Sequence, residues 1–273
     1  MHEAGLIERT SIPATRESLR SDLHGLGIRP GDTLLVHCSL QSLGWVSGGP
    51  VAVVQALLDA AGTYGTIAMP THSRDLTDPA NWGAPPVPLT WIEIIRATMP
   101  AFEPATTPSS GMGAVAELFR TWPGARRSAH PATSMAALGR HAEEITAQHA
   151  LSDPLGLTSP SGSLYRLKAK VLLIGVGFNR CTALHLAEHM RWPDRPTIQE
   201  GAPIIVDGER KWVEFKVPTV MDDDKFLSVG DAVMAERIAT SGPMAQAQAI
   251  VADMAKLVDF AVDHWSGVMH PAA

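Results

Sequence analysis

Residues 171–190, VLLIGVGFNRCTALHLAEHM, constrain this chain more than any other stretch. The run Val171-Leu172-Leu173-Ile174 is short, continuous and apolar, which predicts a buried strand. Gly175 and Gly177 break it. Asn179 or Thr182 can then cap a helix that carries Ala183 through His189. A strand running through a glycine turn into a helix sets side chains at the end of a sheet, and here they are His185, Glu188 and His189. Positions three and four apart share one helix face, so Glu188 and His189 both neighbour His185, while Leu184 and Ala187 turn to the core. An imidazole beside a carboxylate is an acid–base device or a metal site.

The rest of the chain alternates in the same way. Residues 15–26 place Leu19, Leu23 and Leu26 at helical spacing, with Thr15 as cap and Gly27 as stop. Residues 33–38, TLLVHC, read as a buried strand. They lead into a loop rich in hydroxyls and glycines, from Ser39 to Gly49, before a helix that opens on Pro50. Residues 66–70, TIAMP, form the next strand, with Thr71-His72-Ser73-Arg74-Asp75 at its end, where open α/β sheets bind ligands. A Pro- and Trp-rich loop follows at 76–88, then a helix at 89–99, and Gly111-Met112-Gly113 opens another through 122. Residues 134–138 read as a short strand, 140–149 as a helix and 164–167 as a single turn. Residues 202–206 and 211–217 alternate around Asp207-Gly208, a hairpin signal. Helices are expected at 228–239 and 243–265, and a disordered tail at 270–273. The fold class is therefore α/β: a layered sandwich with a central mixed sheet flanked by helices, plus a β-hairpin and a helical C-terminal part.

Composition narrows the function. A chain of 273 residues buries a full core. Its net charge is -6 and its Lys and Arg are scattered, which argues against nucleic acid. The two cysteines, Cys38 and Cys181, form no CxxC pair. No apolar run approaches the ~18 residues of a membrane span, and the first residues lack a signal-peptide pattern. A cytoplasmic protein with no membrane partner is expected. The loop after residue 38 matches neither GxGxxG nor GxxxxGKT. It still offers backbone N–H groups and hydroxyls that suit a phosphate or a pantetheine amide, or it is a plain connection. The RRSAHPATS stretch at 126–134 is either a phosphate contact or a solvated basic turn.

The histidine cluster admits three readings. His185-x-x-Glu188-His189 fits the HxxEH pattern of inverted zinc peptidases, with Glu214 or Glu236 imaginable as a third ligand. A structural hydrogen bond is the second reading. The third is general-base catalysis, in which Glu188 holds one ring nitrogen of His185 and the other takes a proton from an incoming nucleophile.

The chain resembles the aminoglycoside 3-N-acetyltransferase family. The matching pieces are Leu35 through Gly44, Met69-Pro70-Thr71, Gly111-Met112-Gly113 with Glu117, Arg127 through Pro131, Ser159-Pro160, Leu172 through Gly177, and Thr182 through Glu188. The resemblance implies acetyl-CoA as co-substrate, no metal, and a cationic aminoglycoside as acceptor. It implies a single domain over 1–273, with 1–195 as catalytic and coenzyme-binding core and 196–273 helping to form the acceptor cleft. His185 would be the base, Glu188 its partner, and Thr71 would sit near the thioester. His37, Cys38, Ser39, Ser42, Leu43 and Gly44 would hold the pantetheine arm, with Ser109, Arg127 and His130 along the coenzyme. Cys38 stands where such chains often have serine, and His189 lies outside the family pattern. A polycationic acceptor calls for acids around its cleft. The candidates are Asp75, Asp78, Glu93, Glu117, Asp194 and the run Asp222, Asp223 and Asp224. A zinc metallopeptidase, a non-catalytic acyl-CoA binder, or the same chemistry on a non-antibiotic amine are the alternatives. The apolar face of the 243–265 helix is expected to pack on the core or in a homodimer.

Overall fold

The computed structural model describes residues 3–269, so the expected disordered tail at 270–273 lies outside them. Ten helices and nine strands follow one another in these residues. The chain opens with α1 (Glu3–Arg9), α2 (Arg16–Gly25), β1 (Thr33–Cys38), α3 (Gly49–Ala61) and β2 (Thr66–Pro70). Next come α4 (Ile92–Thr98), α5 (Gly113–Arg120), β3 (Arg126–Arg127), β4 (Met135–Gly139), α6 (Ala142–Thr146) and α7 (Pro160–Arg166). The last part holds β5 (Lys170–Ile174), α8 (Thr182–Arg191), β6 (Thr197–Val206), β7 (Glu209–Pro218), α9 (Phe226–Ala235), β8 (Ala239–Met244), β9 (Ala247–Asp253) and α10 (Met254–His264).

Seven strands form one mixed sheet in the order β3-β4-β2-β1-β5-β9-β8, and β6 and β7 pair apart from it. At the centre, β1 runs parallel to both β2 and β5, with Leu35 opposite Ala68 and Val171. The outer pairings are antiparallel. Alternation along each central strand divides the core in two. Leu34, Val36, Ile67, Leu172 and Ile174 face the helices α2, α3 and α5. Leu35, Ala68, Val171 and Leu173 face α6 to α10. Every one of these strand residues is at most 1% exposed, so both faces are covered, as a parallel centre requires.

The parallel trio decides where a site can form. Chain leaving β1 turns through α3 to β2 on one side, while β5 lies on the other. The C-terminal ends of β1 and β5 therefore flank a switch point, where a crevice opens outside the sheet.

Three expectations need correction. Residues 243–253 are not helical: β8 and β9 form a hairpin that extends the sheet from β5. The Ala- and Gln-rich sequence has helix-forming residues, yet pairing of Lys170 through Ile174 with β9 prevails. Pro243 is tolerated because β8 is the edge strand. Helix α10 starts only at Met254, where Asp253 accepts from the N–H groups of Ala255 and Lys256. Its buried Leu257, Val258 and Ala261 belong to the core shared with α8. Second, 126–127 is not a solvated turn but a short strand on β4. The single turn expected at 164–167 is the end of a longer helix, α7, capped by Ser159. The β6–β7 hairpin is tied to the 78–102 segment, through Asn81 to Gln199 O, Phe102 N–H to Pro203 O and Arg210 to Met99 O. No helix among the described residues is long and apolar enough to cross a membrane.

Candidate active site

The site is built where β1, β2 and β5 end. Gly175 leaves β5 with φ +62, and a Cβ there would stand 2.3 Å from Cβ of Ser42. Only glycine lets the loop after β1 close against the exit of β5. Ser42 Oγ then bonds Gly175 O at 3.1 Å and Ser39 Oγ at 2.8 Å. Past a short turn at Phe178–Arg180, α8 begins with no side-chain cap of its own. His37 fills that role: the Thr182 N–H donates to His37 Nε2 at 3.4 Å. Burial, with the nearby His185 charge, pushes the His37 imidazole down to about 4, so it accepts as a neutral ring.

One turn into α8, His185 Nδ1 lies 3.1 Å from Glu188 Oε2. Glu188 is fully buried, and its other oxygen accepts the Met221 N–H at 2.7 Å. The Arg195 guanidinium, also buried, stands 3.9 Å away and balances its charge. His185 Nε2 faces a second carboxylate, Asp223 Oδ1, at 3.2 Å. The ring meets Phe226 edge-on at 4.8 Å between centroids. Burial works against charging this imidazole, but its bonds to Asp223 and Glu188 prevail and raise its pKa above the ordinary value.

His185 opens on a cleft of about 370 Å³. Its walls include His37 and Cys38 at the end of β1 and Ser39 beyond it, His72 and Arg74 after β2, and Gly111, Met112 and Gly113 at the start of α5. Asn179, Arg180 and Asp223 complete it near the base. Helix α5 carries no side-chain cap at this end, which leaves its first N–H groups to the cleft. His72 is neutral, because burial holds its pKa well below the usual value, and its Nε2 is buried without a partner. The side chains of Arg74 and Arg180 make no hydrogen bond among the described residues. The Cys38 thiol is pushed up to about 12 by burial, so it is no nucleophile at neutral pH.

Several sequence candidates lie elsewhere. The Thr71 hydroxyl is fully buried, donates to Ser134 O at 3.1 Å and accepts from Arg127 Nε at 3.2 Å. His72, its neighbour, faces the cleft instead. Arg127 is spent on the framework: it bonds Thr71 O, Ser73 Oγ, Ser134 Oγ and the carbonyl of Thr107, and lies over the Phe102 ring. His130 accepts from the N–H groups of Ala132 and Thr133 and stacks near His149, with burial pushing its pKa down to about 3. Ser109 donates twice to Glu117, which also pairs with Arg120. Leu43 is core, and Gly44 packs on Gln246 and Thr10. Of the acids, Asp78 is bound by Arg96, Asp75 lines a separate pocket of about 330 Å³, and Asp222 caps its own turn. Asp224 accepts from Asn179. Asp223 alone of these acids reaches the cleft, so the acid-lined wall expected for a polycation is not what surrounds His185.

His189 does not share a ligand position with His185. Its Nδ1 pairs with Asp153 at 3.0 Å on another side of the helix. Sequence reasoning placed His72 and Arg74 at a ligand-binding strand end without giving either a role, and it missed Arg180 and Arg195. Nothing local in the sequence marks Arg195.

Comparison with known proteins identifies the family. The profile of the aminoglycoside 3-N-acetyltransferase family matches residues 35–266. The aminoglycoside N(3')-acetyltransferase-like protein YokD of Bacillus subtilis (strain 168) is 45% identical over 257 residues, covering 94% of each chain. Its crystal structure superposes with a TM-score of 0.92 at 44% identity, over 95% of this chain and 96% of that one. Aminoglycoside N(3)-acetyltransferase VII of Streptomyces paromomycinus is 38% identical over 219 residues, covering 79% of this chain and 74% of its own. Solved structures of AAC-IIIb binary with CoASH (TM-score 0.82, 29% identity) and of sisomicin-bound AAC-VIa (0.85, 30%) each cover 95% of this chain and all of theirs. The chain belongs to the aminoglycoside 3-N-acetyltransferase family, and is an acyltransferase.

Proposed function

We propose that this protein transfers the acetyl group of acetyl-CoA to the 3-amino group of a 2-deoxystreptamine aminoglycoside, which confers resistance, with His185 as general base. The observation that carries the reading is the His185–Glu188 pair: His185 lines the cleft, and the fully buried Glu188 carboxylate holds it from behind at 3.1 Å. Relatives that act on aminoglycosides, and one solved with CoASH, support the two substrates.

The residues present fit an acyl thioester with an anionic tail. Uncapped N–H groups of α5, the guanidinium groups of Arg74 and Arg180, and the orphaned His72 imidazole all favour negative charge or a polarised carbonyl. When bound, acetyl-CoA supplies the electrophilic carbonyl. His185 takes one proton from the acceptor ammonium, and the freed amine attacks that carbonyl. The N–C bond forms, the C–S bond breaks, and the second amine proton leaves to water. His185 then returns its proton to the departing thiolate, so the balance is one amide, one thiol and one released proton. Glu188 holds the imidazole in orientation and stabilises its charged form. Neutral His72 and the α5 N–H groups are the donors nearest the cleft for the oxyanion, and losing one such donor commonly lowers the rate ~10²–10³-fold. Transfer is direct, with no acetyl-cysteine.

The test is thiol release from acetyl-CoA against aminoglycosides with and without the 3-amino group. Turnover only with the 3-amino members supports the reading. Release that ignores the aminoglycoside, or full activity in His185→Gln, overturns it.

A further inference from the structure

Both nitrogens of the base are occupied in the acceptor-free protein. Nδ1 bonds Glu188 and Nε2 faces Asp223 at 3.2 Å. An imidazolium bracketed by two carboxylates has no lone pair to accept a proton. The two carboxylates differ in their attachment. Glu188 is fully buried and fastened by the Met221 N–H and Arg195. Asp223 sits on the one-turn segment Asp223–Lys225, none of whose residues is buried, and its side chain is 34% exposed. One carboxylate is fixed and the other can leave.

We propose that Asp223 is the docking anion for the acceptor's reacting ammonium, and that in the empty site it occupies Nε2 of His185 in the ammonium's place. The inference rests on His185 being the base. An arriving ammonium offers Asp223 a cation of its own, beside the Arg74 and Arg180 charges that already favour its ionised form. Nε2 is then released toward the amine. The imidazolium, having lost one anion, gives its proton to water and becomes a base only when a cationic amine is present. Once the ammonium's proton has moved to Nε2, Asp223 stabilises the resulting imidazolium. An acceptor without a cationic amine cannot draw Asp223 away, so the same contact filters acceptors by charge. The groups facing His185 are Glu188 on its own helix, Asp223 before α9, His37 at the end of β1, His72 and Arg74 after β2, and Arg180 after β5. Of these only Glu188 and Asp223 are anionic, and His37 and His72 are held neutral by burial.

The experiment is a pH titration of the His185 imidazole by ¹⁵N NMR in the whole, coenzyme-free protein. It is run for wild type and Asp223→Asn, beside steady-state kinetics of both. The expected result is a midpoint lowered by about one unit or more in Asp223→Asn. The acceptor KM should rise between about tenfold and a hundredfold, with a smaller change in kcat. In wild type, saturating sisomicin should convert the His185 signal from imidazolium to neutral imidazole near neutral pH, a measurement that needs no variant to fold. An unmoved midpoint, an unchanged KM, or a wild-type signal indifferent to sisomicin overturns the proposal. If His185→Gln is inactive while Asp223→Asn matches wild type in both readouts, only the docking role falls. If His185→Gln is active, the base assignment falls with it. If no aminoglycoside is acetylated, the acceptor class falls, and the acceptor-free titration still decides whether Asp223 holds the base.

Discussion

Replacing Glu188 with Gln is the sharpest test of how the site is held together, because the group serves both catalysis and the fold. The substitution keeps the shape and an oxygen for the Met221 N–H, but removes a charge 3.1 Å from Nδ1 of His185. An opposite charge at that range shifts a pKa by about 1–3 units. At 1.36 kcal/mol per unit, roughly 1.4–4 kcal/mol of imidazolium stabilisation is lost. That corresponds to a fall of about 10- to 10³-fold in kcat. Stability suffers separately. Arg195 is 1% exposed in its side chain and, once the Glu188 carboxylate is gone, keeps carbonyl acceptors at Thr219 and Trp192 and the more remote charge of Asp153. Breaking a buried pair of this kind typically destabilises by about 3–5 kcal/mol. The assay is thiol release at saturating acetyl-CoA across the neutral range, beside thermal unfolding. A variant with kcat within about twofold of wild type would refute the reasoning, even if it melts lower. A slow variant that melts with wild type would instead show that Arg195 does not depend on Glu188.

Three more expectations follow from the same contacts. His185 has a pKa raised above 6.5, so the stability from its ion pairs is full below that value and is lost as pH rises through the folded value. The unfolding temperature of His185→Gln should therefore lie furthest below wild type on the acid side, and a gap that widens with alkaline pH contradicts this. His189→Leu removes one bond to Asp153, destabilises by about 1–3 kcal/mol and leaves turnover within a few-fold; abolished turnover without loss of stability would return the HxxEH metal reading. Arg127→Met strips the loops at 71–73 and 104–107 of their shared donor, at about 2–4 kcal/mol in thermal or denaturant unfolding, and earlier proteolysis at 104–107 should accompany it.

Much of the centre was legible in sequence because its signals are local. TLLVHC and VLLI read as buried strands since nothing but a covered sheet accommodates such runs. Three-residue spacing put His185 and Glu188 on one face without any tertiary knowledge. The failures share a cause: the deciding partner is remote. Ala247 through Asp253 look helical until β5 is placed beside them. Arg127 looks like a phosphate ligand until Thr71, Ser73 and Thr107 surround it. Asp222, Asp223 and Asp224 look equivalent, and only the position of α8 singles out Asp223. The resemblance to the family likewise supplied roles for the motifs, but not the cations Arg74 and Arg180 on the wall of the cleft.

The placement of the two carboxylates has a consequence for timescale. Helix α8 is seeded by β5, which is paired on both sides in the middle of the sheet and packed on both faces. Amides there exchange with solvent only through opening of the whole molecule. The turn at Asp223–Lys225 buries no residue and opens at little expense. The base is thus mounted on a covered, doubly paired part of the sheet and Asp223 on a turn that buries nothing, so hydrogen exchange should be far slower along β5 than at Asp223–Lys225.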